Sequence, residues 1–145
     1  MEFFEQYGIY IIVFSSMMVI SFIAVFISNK RNKKNVANFL EKYPDVARVY
    51  LTMKALITQE AVSVYLVNGE QAVLFTEKGK SGFYLAPGNN EVEMSYSYTR
   101  PGVMYKSVTK STGAVTRELE VEANKSYKLS FDRKQEEFVF EELDK

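Results

Sequence analysis

Cysteine and histidine are both absent from this chain of 145 residues. Without cysteine, the chain can form no disulfide, no thiolate nucleophile and no thiolate metal site. Without histidine, it lacks the side chain that most often serves as a general base or a metal ligand. These two absences argue against an enzyme, and we predict a non-catalytic protein with no cofactor and no metal.

Neither sign of charge is in excess, because 18 Lys and Arg are matched by 18 Asp and Glu. From Asp45 to Lys145 there are 13 basic and 15 acidic residues, so the basic character is concentrated before that point. A nucleic-acid partner requires a basic excess to neutralise its phosphates. We therefore expect no nucleic acid to bind.

Aspartate is scarce, and most glutamates alternate with apolar residues, as Glu118, Glu120 and Glu122 do. Exposed carboxylates in such positions lack the contrasting surroundings that separate the pKa values of a catalytic pair. A further acidic cluster near the carboxyl end has no glycine-containing loop of the kind that shapes a calcium site. We interpret this cluster as a solvated surface: Glu136, Glu137, Glu141, Glu142 and Asp144.

One long apolar segment stands out, since residues 8–28 contain no charge in twenty-one positions. As a helix it would be about 30 Å long, which matches the hydrocarbon thickness of a bilayer. A cleaved secretory signal would have basic residues ahead of a shorter apolar core and small residues after it. Here Glu2 and Glu5 come first, and Ser28, Asn29 and Lys30 follow. The sequence predicts an uncleaved, single transmembrane helix.

Four basic residues follow the span within six positions, namely Lys30, Arg31, Lys33 and Lys34, whereas none precedes it. Because basic flanks tend to stay in the cytoplasm, we expect the amino terminus outside and the rest of the chain in the cytoplasm of the cell. The same four side chains would contact the membrane surface. They either recruit acidic lipids or serve only to set the topology.

Two features of the span concern its surroundings in the membrane. Tyr7 and Tyr10 are expected at the outer interface, where amphipathic rings are enriched. Ser21, Ala24 and Ser28 form an edge of small residues that allows a neighbouring helix to approach, although a simple anchor needs no such contact.

After the span, Val36, Phe39, Leu40 and Tyr43 recur with helical spacing, and Pro44 ends the pattern. This segment is either an amphipathic turn on the lipid surface or a continuation of the spanning helix whose apolar stripe packs on the folded domain.

From Val46 onward, apolar and polar residues alternate with the period of β-strands. The clearest run is 91–99, and the run 62–67 is apolar on both faces, which predicts a central strand. Tyr50 and Tyr65 lie in the opposite register and are candidates for an exposed patch. The predicted inward residues are Val49, Leu51, Met53, Val62, Val64, Leu66, Val92, Met94, Tyr96, Tyr98, Leu119, Val121, Ala123, Tyr127, Leu129, Phe131, Phe138 and Phe140.

Turn residues separate these runs. Asn68-Gly69 favours a two-residue hairpin before a strand at 71–76, and Pro87-Gly88 suits a type II turn. Breaks are also expected at 100–102, 111–113 and 124–125. The spacing predicts a mainly β fold, in which the transmembrane helix precedes a small antiparallel β-sandwich of seven to nine strands.

The order of these elements resembles a known family. The Asn68-Gly69-Glu70 turn, the segment 84–88, the alternating strand to Tyr98 and the segment 119–127 are similar to PEGA-type small sandwich domains, although this chain has Ala in place of the namesake Glu. The resemblance covers residues 60–131. It implies a non-enzymatic interaction module and transfers no site residues.

Together these patterns divide the chain into a tail (1–7), a transmembrane helix (8–28), a basic juxtamembrane segment with an amphipathic turn (29–45) and a β-sandwich (46–145). The predicted function is a membrane-anchored interaction module that docks onto a protein partner at or in the membrane, as an accessory or scaffolding subunit of a complex. The alternative is a ligand- or carbohydrate-binding module that faces outward from the cell.

Overall fold

The computed structural model describes residues 2–55, 58–102 and 106–143. The chain divides into two compact units, Met1–Ala37 and Asn38–Lys145. A single long helix comes first, and the described residues after it form strands in two sheets. The predicted fold class, an apolar amino-terminal helix followed by a mostly antiparallel β region, is confirmed.

Helix α1 runs from Glu2 to Lys42 without a break. It contains no proline, and it ends two residues before Pro44, because a proline disfavours helical geometry in the residue that precedes it. The helix therefore begins within the predicted tail and continues to Lys42. Its 41 residues give a length of about 60 Å. Whether residues 36–43 lie on lipid or pack on the folded domain stays a prediction.

The apolar run of α1 is exposed along its described length, and three serine hydroxyls in it bond to their own helix. Ser15 and Ser16 donate to carbonyl oxygens three residues earlier at 3.0 and 2.8 Å, and Ser21 donates to the carbonyl of Met17 at 2.8 Å. A serine that bonds back in this way presents no unsatisfied donor to an apolar medium.

Eleven strands follow in the described residues: β1 Ala47–Leu51, β2 Met53–Ala55, β3 Gln59–Val67, β4 Glu70–Gln71, β5 Leu74–Glu77, β6 Lys80–Leu85, β7 Gly88–Arg100, β8 Val108–Ser111, β9 Val115–Val121, β10 Ser126–Asp132 and β11 Glu137–Glu142. This agrees roughly with the seven to nine predicted. The structure has more strands than predicted because the runs 49–53 and 71–76 are each divided into two strands, one in each sheet.

The first sheet has the order β11-β10-β1-β6-β5, and the second has β2-β3-β7-β8, with β4 also on β3 and β9 also on β7. All described pairs are antiparallel except β1 with β10, in which Arg48 lies opposite Ser126 and Leu51 opposite Leu129. Strand β3 has neighbours on both sides, which confirms the central position predicted for it.

The core lies between the inner faces of the two sheets. Its largest fully buried side chains are Val49, Phe83, Leu85, Val92, Met94 and Leu129. Burial of such a side chain contributes roughly 1.5–3 kcal/mol, so these six account for a large share of the stabilisation. Tyr98, Phe131, Phe138 and Phe140 are partly buried and pack against this core, in agreement with their predicted inward register.

Three residues predicted to face inward do not. Met53 is exposed because the chain leaves the first sheet at Thr52 and enters the second as β2. Leu66 is exposed because a β-bulge between Val64 and Leu66 shifts the register against β7. Ala123 is exposed because β9 ends at Val121, before the alternation reaches it.

The predicted turns are where the sequence placed them. Asn68 and Gly69 have φ of 52° and 78°, and Val67 pairs with Glu70, so the two-residue hairpin is confirmed. The strand after it was predicted wrongly as one run, since β4 and β5 belong to different sheets. Gly88 has a positive φ of 107°, a backbone conformation that favours glycine, and it begins β7 where the chain changes sheets. The breaks after Arg100, Ser111 and Val121 are also present.

Candidate functional site

The basic residues predicted to meet the membrane surface lie on α1 and are exposed: Lys30, Arg31, Lys33 and Lys34. Tyr7 and Tyr10 lie on the same helix with 43% and 71% of their surface exposed. Ser21, Ala24 and Ser28 are also exposed on α1, although the Ser21 hydroxyl is already bonded to Met17. Residues 7–42 form a helix long and apolar enough to cross a membrane, with none of its apolar window buried.

The predicted tyrosine patch is only half formed. Tyr65 is 47% exposed, and its hydroxyl lies 2.8 Å from the Ser95 hydroxyl. Tyr50 is half-buried instead, because its ring meets the Phe75 ring edge-on at 5.4 Å, and Phe75 in turn contacts Tyr84 at 4.7 Å. Tyr50 belongs to an aromatic cluster within the first sheet, and Tyr65 lies outside that cluster.

The acidic residues near the carboxyl end are dispersed and partly paired. Glu142 forms an ion pair with Lys125 at 2.9 Å, and Glu122 pairs with the same ammonium at 2.7 Å. Hydrogen bonds to these two carboxylates raise the pKa of Lys125. Asp144 lies outside the described residues. Within the three described ranges, no group of His, Cys, Asp or Glu is arranged to hold a metal ion.

The β domain contains an open cleft of about 870 Å³ that the sequence did not reveal. Its walls come from β2, β3 and β7 of the second sheet and from β10, β11 and the turn between them. We call this feature the β10 cleft. The residues that define it are Thr52, Lys54, Glu60, Tyr96, Phe131 and Arg133.

The β10 cleft exists because β1 is shorter than its neighbour. The pairing of β1 with β10 ends at Leu51 opposite Leu129, and the amide of Thr52 then donates to the Leu129 carbonyl at 3.0 Å. Beyond this point the chain turns toward β3, where the Thr52 carbonyl accepts from Val62 at 3.5 Å. Strand β10 continues to Asp132, paired only with β11 among the described strands.

Two residues that line the β10 cleft, Thr52 and Tyr96, have buried hydroxyl groups. The Thr52 hydroxyl has no hydrogen-bond partner among the described residues, whereas the Tyr96 hydroxyl interacts with the Glu60 carboxylate. The Tyr96 residue is only 7% exposed. A buried hydroxyl without a partner costs about 1–3 kcal/mol. Burial raises the pKa of the Tyr96 hydroxyl, the negative charge of Glu60 and a hydrogen bond to that carboxylate add to the rise, and Arg133 opposes it.

The aromatic and charged residues around Tyr96 hold this part of the cleft in place. The Tyr96 and Phe131 rings stack with centroids 4.2 Å apart, which joins the two sheets. The Arg133 guanidinium lies over the Tyr98 ring at 4.1 Å and pairs with Glu60 at 3.1 Å. Since Glu60 is on β3 and Arg133 is in the turn after β10, this pair closes one end of the cleft across the two sheets.

The net charge along the cleft is slightly basic. Lys128 lies opposite Glu141 in the β10–β11 ladder, and the Asp132 carboxylate accepts from the amides of Lys134 and Gln135 at 2.7 and 3.3 Å. Lys54 and Lys134 also line the cleft, and neither forms an ion pair within the described part of the chain. The cleft therefore offers hydroxyl groups, an aromatic wall, and four basic and three acidic side chains, with Lys54 opposite Glu60 in the β2–β3 ladder.

No protein-family model, curated protein or solved structure matches this chain. The resemblance of residues 60–131 to PEGA-type domains therefore stays a prediction from the sequence.

Proposed function

We propose that this protein is a non-catalytic, single-pass membrane protein that holds a β-sandwich binding module at the cytoplasmic face of the membrane, as an accessory or scaffolding subunit of a complex. The observation that carries this proposal is the apolar surface of α1. The side chains of residues 9–28 are all exposed, and none of the most apolar window is buried. In water such a surface would be strongly unfavourable, whereas in lipid it is stabilising.

The charges that flank the apolar run support the orientation. Lys30, Arg31, Lys33 and Lys34 are exposed directly after it, and each contributes on the order of 1 kcal/mol near an anionic leaflet. Moving them across the bilayer during insertion is disfavoured. The amino terminus is therefore outside, and the β domain that follows Lys42 is inside.

A binding role is supported by what the β domain offers. Its described surface has a cleft lined by aromatic and charged side chains, but it presents no histidine, no cysteine and no cluster of acids suited to metal ligation. Such a surface suits recognition of a partner better than catalysis. The PEGA-type resemblance points in the same direction.

Alkaline carbonate extraction of membranes that contain the full chain tests the anchor. We expect the protein to stay in the pellet and to be released only by detergent. Its intact mass should correspond to a chain that retains residues 8–28, because an anchor is not cleaved. A shorter soluble product that lacks these residues would identify the segment as a signal sequence and would overturn the proposal.

A further inference from the structure

The hairpin between β3 and β4 contains the one asparagine of this chain that glycine follows, Asn68 before Gly69. Both residues are exposed, and both have a positive φ. Gly69 has no side chain to shield its main-chain nitrogen, and a Cβ atom built there would meet nothing within 4 Å. The nitrogen of such a glycine is an effective nucleophile toward the side-chain carbonyl of the residue before it.

The reaction between these two residues is deamidation, and it needs no reactant other than water. The Gly69 nitrogen bonds to Cγ of Asn68, and Nδ2 leaves as ammonia with the proton of the Gly69 amide. Water then opens the cyclic imide at either of its carbonyl groups. One opening gives aspartate, and the other gives isoaspartate, in which the main chain runs through the former side-chain carbon.

The fold restrains the Asn68 side chain through both of its polar atoms. Its Oδ1 accepts from the Glu91 amide at 2.8 Å, and its Nδ2 donates to Oδ1 of Asn90 at 3.0 Å. The main-chain amide of Asn68 also donates to the Glu91 carbonyl at 2.7 Å. For the imide to close, the side-chain amide must turn its face to the Gly69 nitrogen, and this breaks its two bonds.

The buried residue Asn90 makes this restraint rigid. It is only 3% exposed, and its own Nδ2 donates to the carbonyls of Ala86 and Gly88 at 2.8 and 3.1 Å. Asn90 cannot reverse its amide group without losing both of these bonds, so its Oδ1 stays directed at Asn68. The turn at the start of β7 therefore controls the reactivity of a hairpin about twenty residues earlier in the chain.

We infer that Asn68 is a site of spontaneous deamidation, that Asn90 restrains the reaction in the folded β domain, and that the modified residue loosens the hairpin. An oxygen in place of Nδ2 brings two acceptors together at Asn90, and isoaspartate also lengthens the main chain within a two-residue turn. Strand β4 has only two residues and little other pairing to hold it. This inference depends on neither the anchor nor the binding role.

Peptide mapping by mass spectrometry, on the full chain incubated in detergent micelles at mildly alkaline pH, tests the inference. Loss of the amide changes the mass and the retention time of the peptide that contains Asn68. We expect slow modification in the folded chain and faster modification once guanidinium chloride unfolds the β domain. Asn124 is the internal control, because it is exposed with φ of 60° but precedes lysine, and it should react more slowly than Asn68 in the unfolded chain.

Two variants separate Asn90 from its neighbour. Asn90→Ala should raise the rate at Asn68 in the folded chain about three- to tenfold, because one of the two restraining bonds is lost. Asn89→Ala, at an exposed position bonded to Glu118, should leave that rate unchanged. Circular dichroism shows whether each variant is folded. If Asn90→Ala is not, the parent in increasing guanidinium chloride makes the same comparison, since its rate at Asn68 should follow the unfolded fraction.

Several results would overturn the inference. Equal rates in the parent and in folded Asn90→Ala would show that Asn90 does not restrain Asn68, and a rate independent of the unfolded fraction would show that the fold does not. Absence of modification at Asn68 in the unfolded chain would remove the site.

The effect of the modification has its own measurement. Asn68→Asp should unfold at a lower guanidinium chloride concentration than both the parent and the control Asn124→Asp, and an unchanged midpoint would refute the loosening of the hairpin.

Discussion

At the scale of single residues, Asn90 shows how one buried polar side chain joins two turns. Its amide group donates to the carbonyls of Ala86 and Gly88 at 2.8 and 3.1 Å, and its oxygen accepts from the Asn68 side chain at 3.0 Å. Asn68 in turn accepts from the Glu91 amide at 2.8 Å. The hairpin turn was predictable from Asn68-Gly69, but this network was not, because it joins residues more than twenty positions apart.

Replacement of Asn90 by alanine should lower the free energy of unfolding by about 1–3 kcal/mol, because the partners of Asn90 would be left buried without a bond. Asn89→Ala is the matched control, since Asn89 is exposed and its bond to Glu118 is long at 3.3 Å. Urea unfolding of both variants in detergent, followed by circular dichroism, measures the difference. Equal stability of the two variants would contradict the role assigned to Asn90.

The raised pKa of Tyr96 makes stability depend on pH in a defined direction. The folded state holds the phenolic proton more tightly than the unfolded state, so the stabilisation is complete below the ordinary tyrosine pKa of about 10. This contribution to the free energy of unfolding is lost as the pH rises from about 10 through the raised pKa of Tyr96 in the folded state. Tyr96→Phe should therefore lose less stability than the parent chain between about pH 9 and 11, as measured by urea unfolding. A parallel decline in parent and variant would exclude this linkage.

At the scale of elements, periodicity identified which face of a strand is buried but could not identify its neighbour. The alternation along β7 and the end of α1 before Pro44 were both predictable. The parallel pairing of β1 with β10 was not, because Arg48 and Ser126 are far apart in the chain. The β10 cleft was missed for the same reason, since it is created where β1 ends and β10 continues.

Gly82 lies on β6 opposite Tyr50 of β1. A Cβ atom there would collide with the Val49 carbonyl oxygen and would lie 2.6 Å from the Phe75 ring. Gly82→Ala should therefore cost about 1–3 kcal/mol by overpacking. Ser81→Ala, at the neighbouring half-buried position of β6, should cost less. Thermal unfolding of the two variants makes the comparison, and a Gly82→Ala protein as stable as the parent would contradict the described packing of β6 on β1.

At the scale of the whole molecule, charge and hydropathy are distributed unevenly along the chain. The net charge is zero, yet four basic residues follow the uncharged run within six positions, and the remainder from Asp45 is slightly acidic. Helix α1 continues from the apolar run to Lys42, so the four basic residues lie on the same helix as the apolar run. This order of apolar and basic residues is the one that the proposed anchor requires, because length and flanking charge govern the insertion of a helix into a membrane.

The most direct test of the tether is labelling of single cysteines in intact cells with a membrane-impermeant maleimide. The parent chain contains no cysteine, so Glu2→Cys and Glu120→Cys each carry one thiol, before the apolar run and on an exposed position of β9. We predict that Glu2→Cys is labelled in intact cells and that Glu120→Cys is labelled only after the membrane is permeabilised. Labelling of Glu120→Cys in intact cells would place the β domain outside and contradict the account.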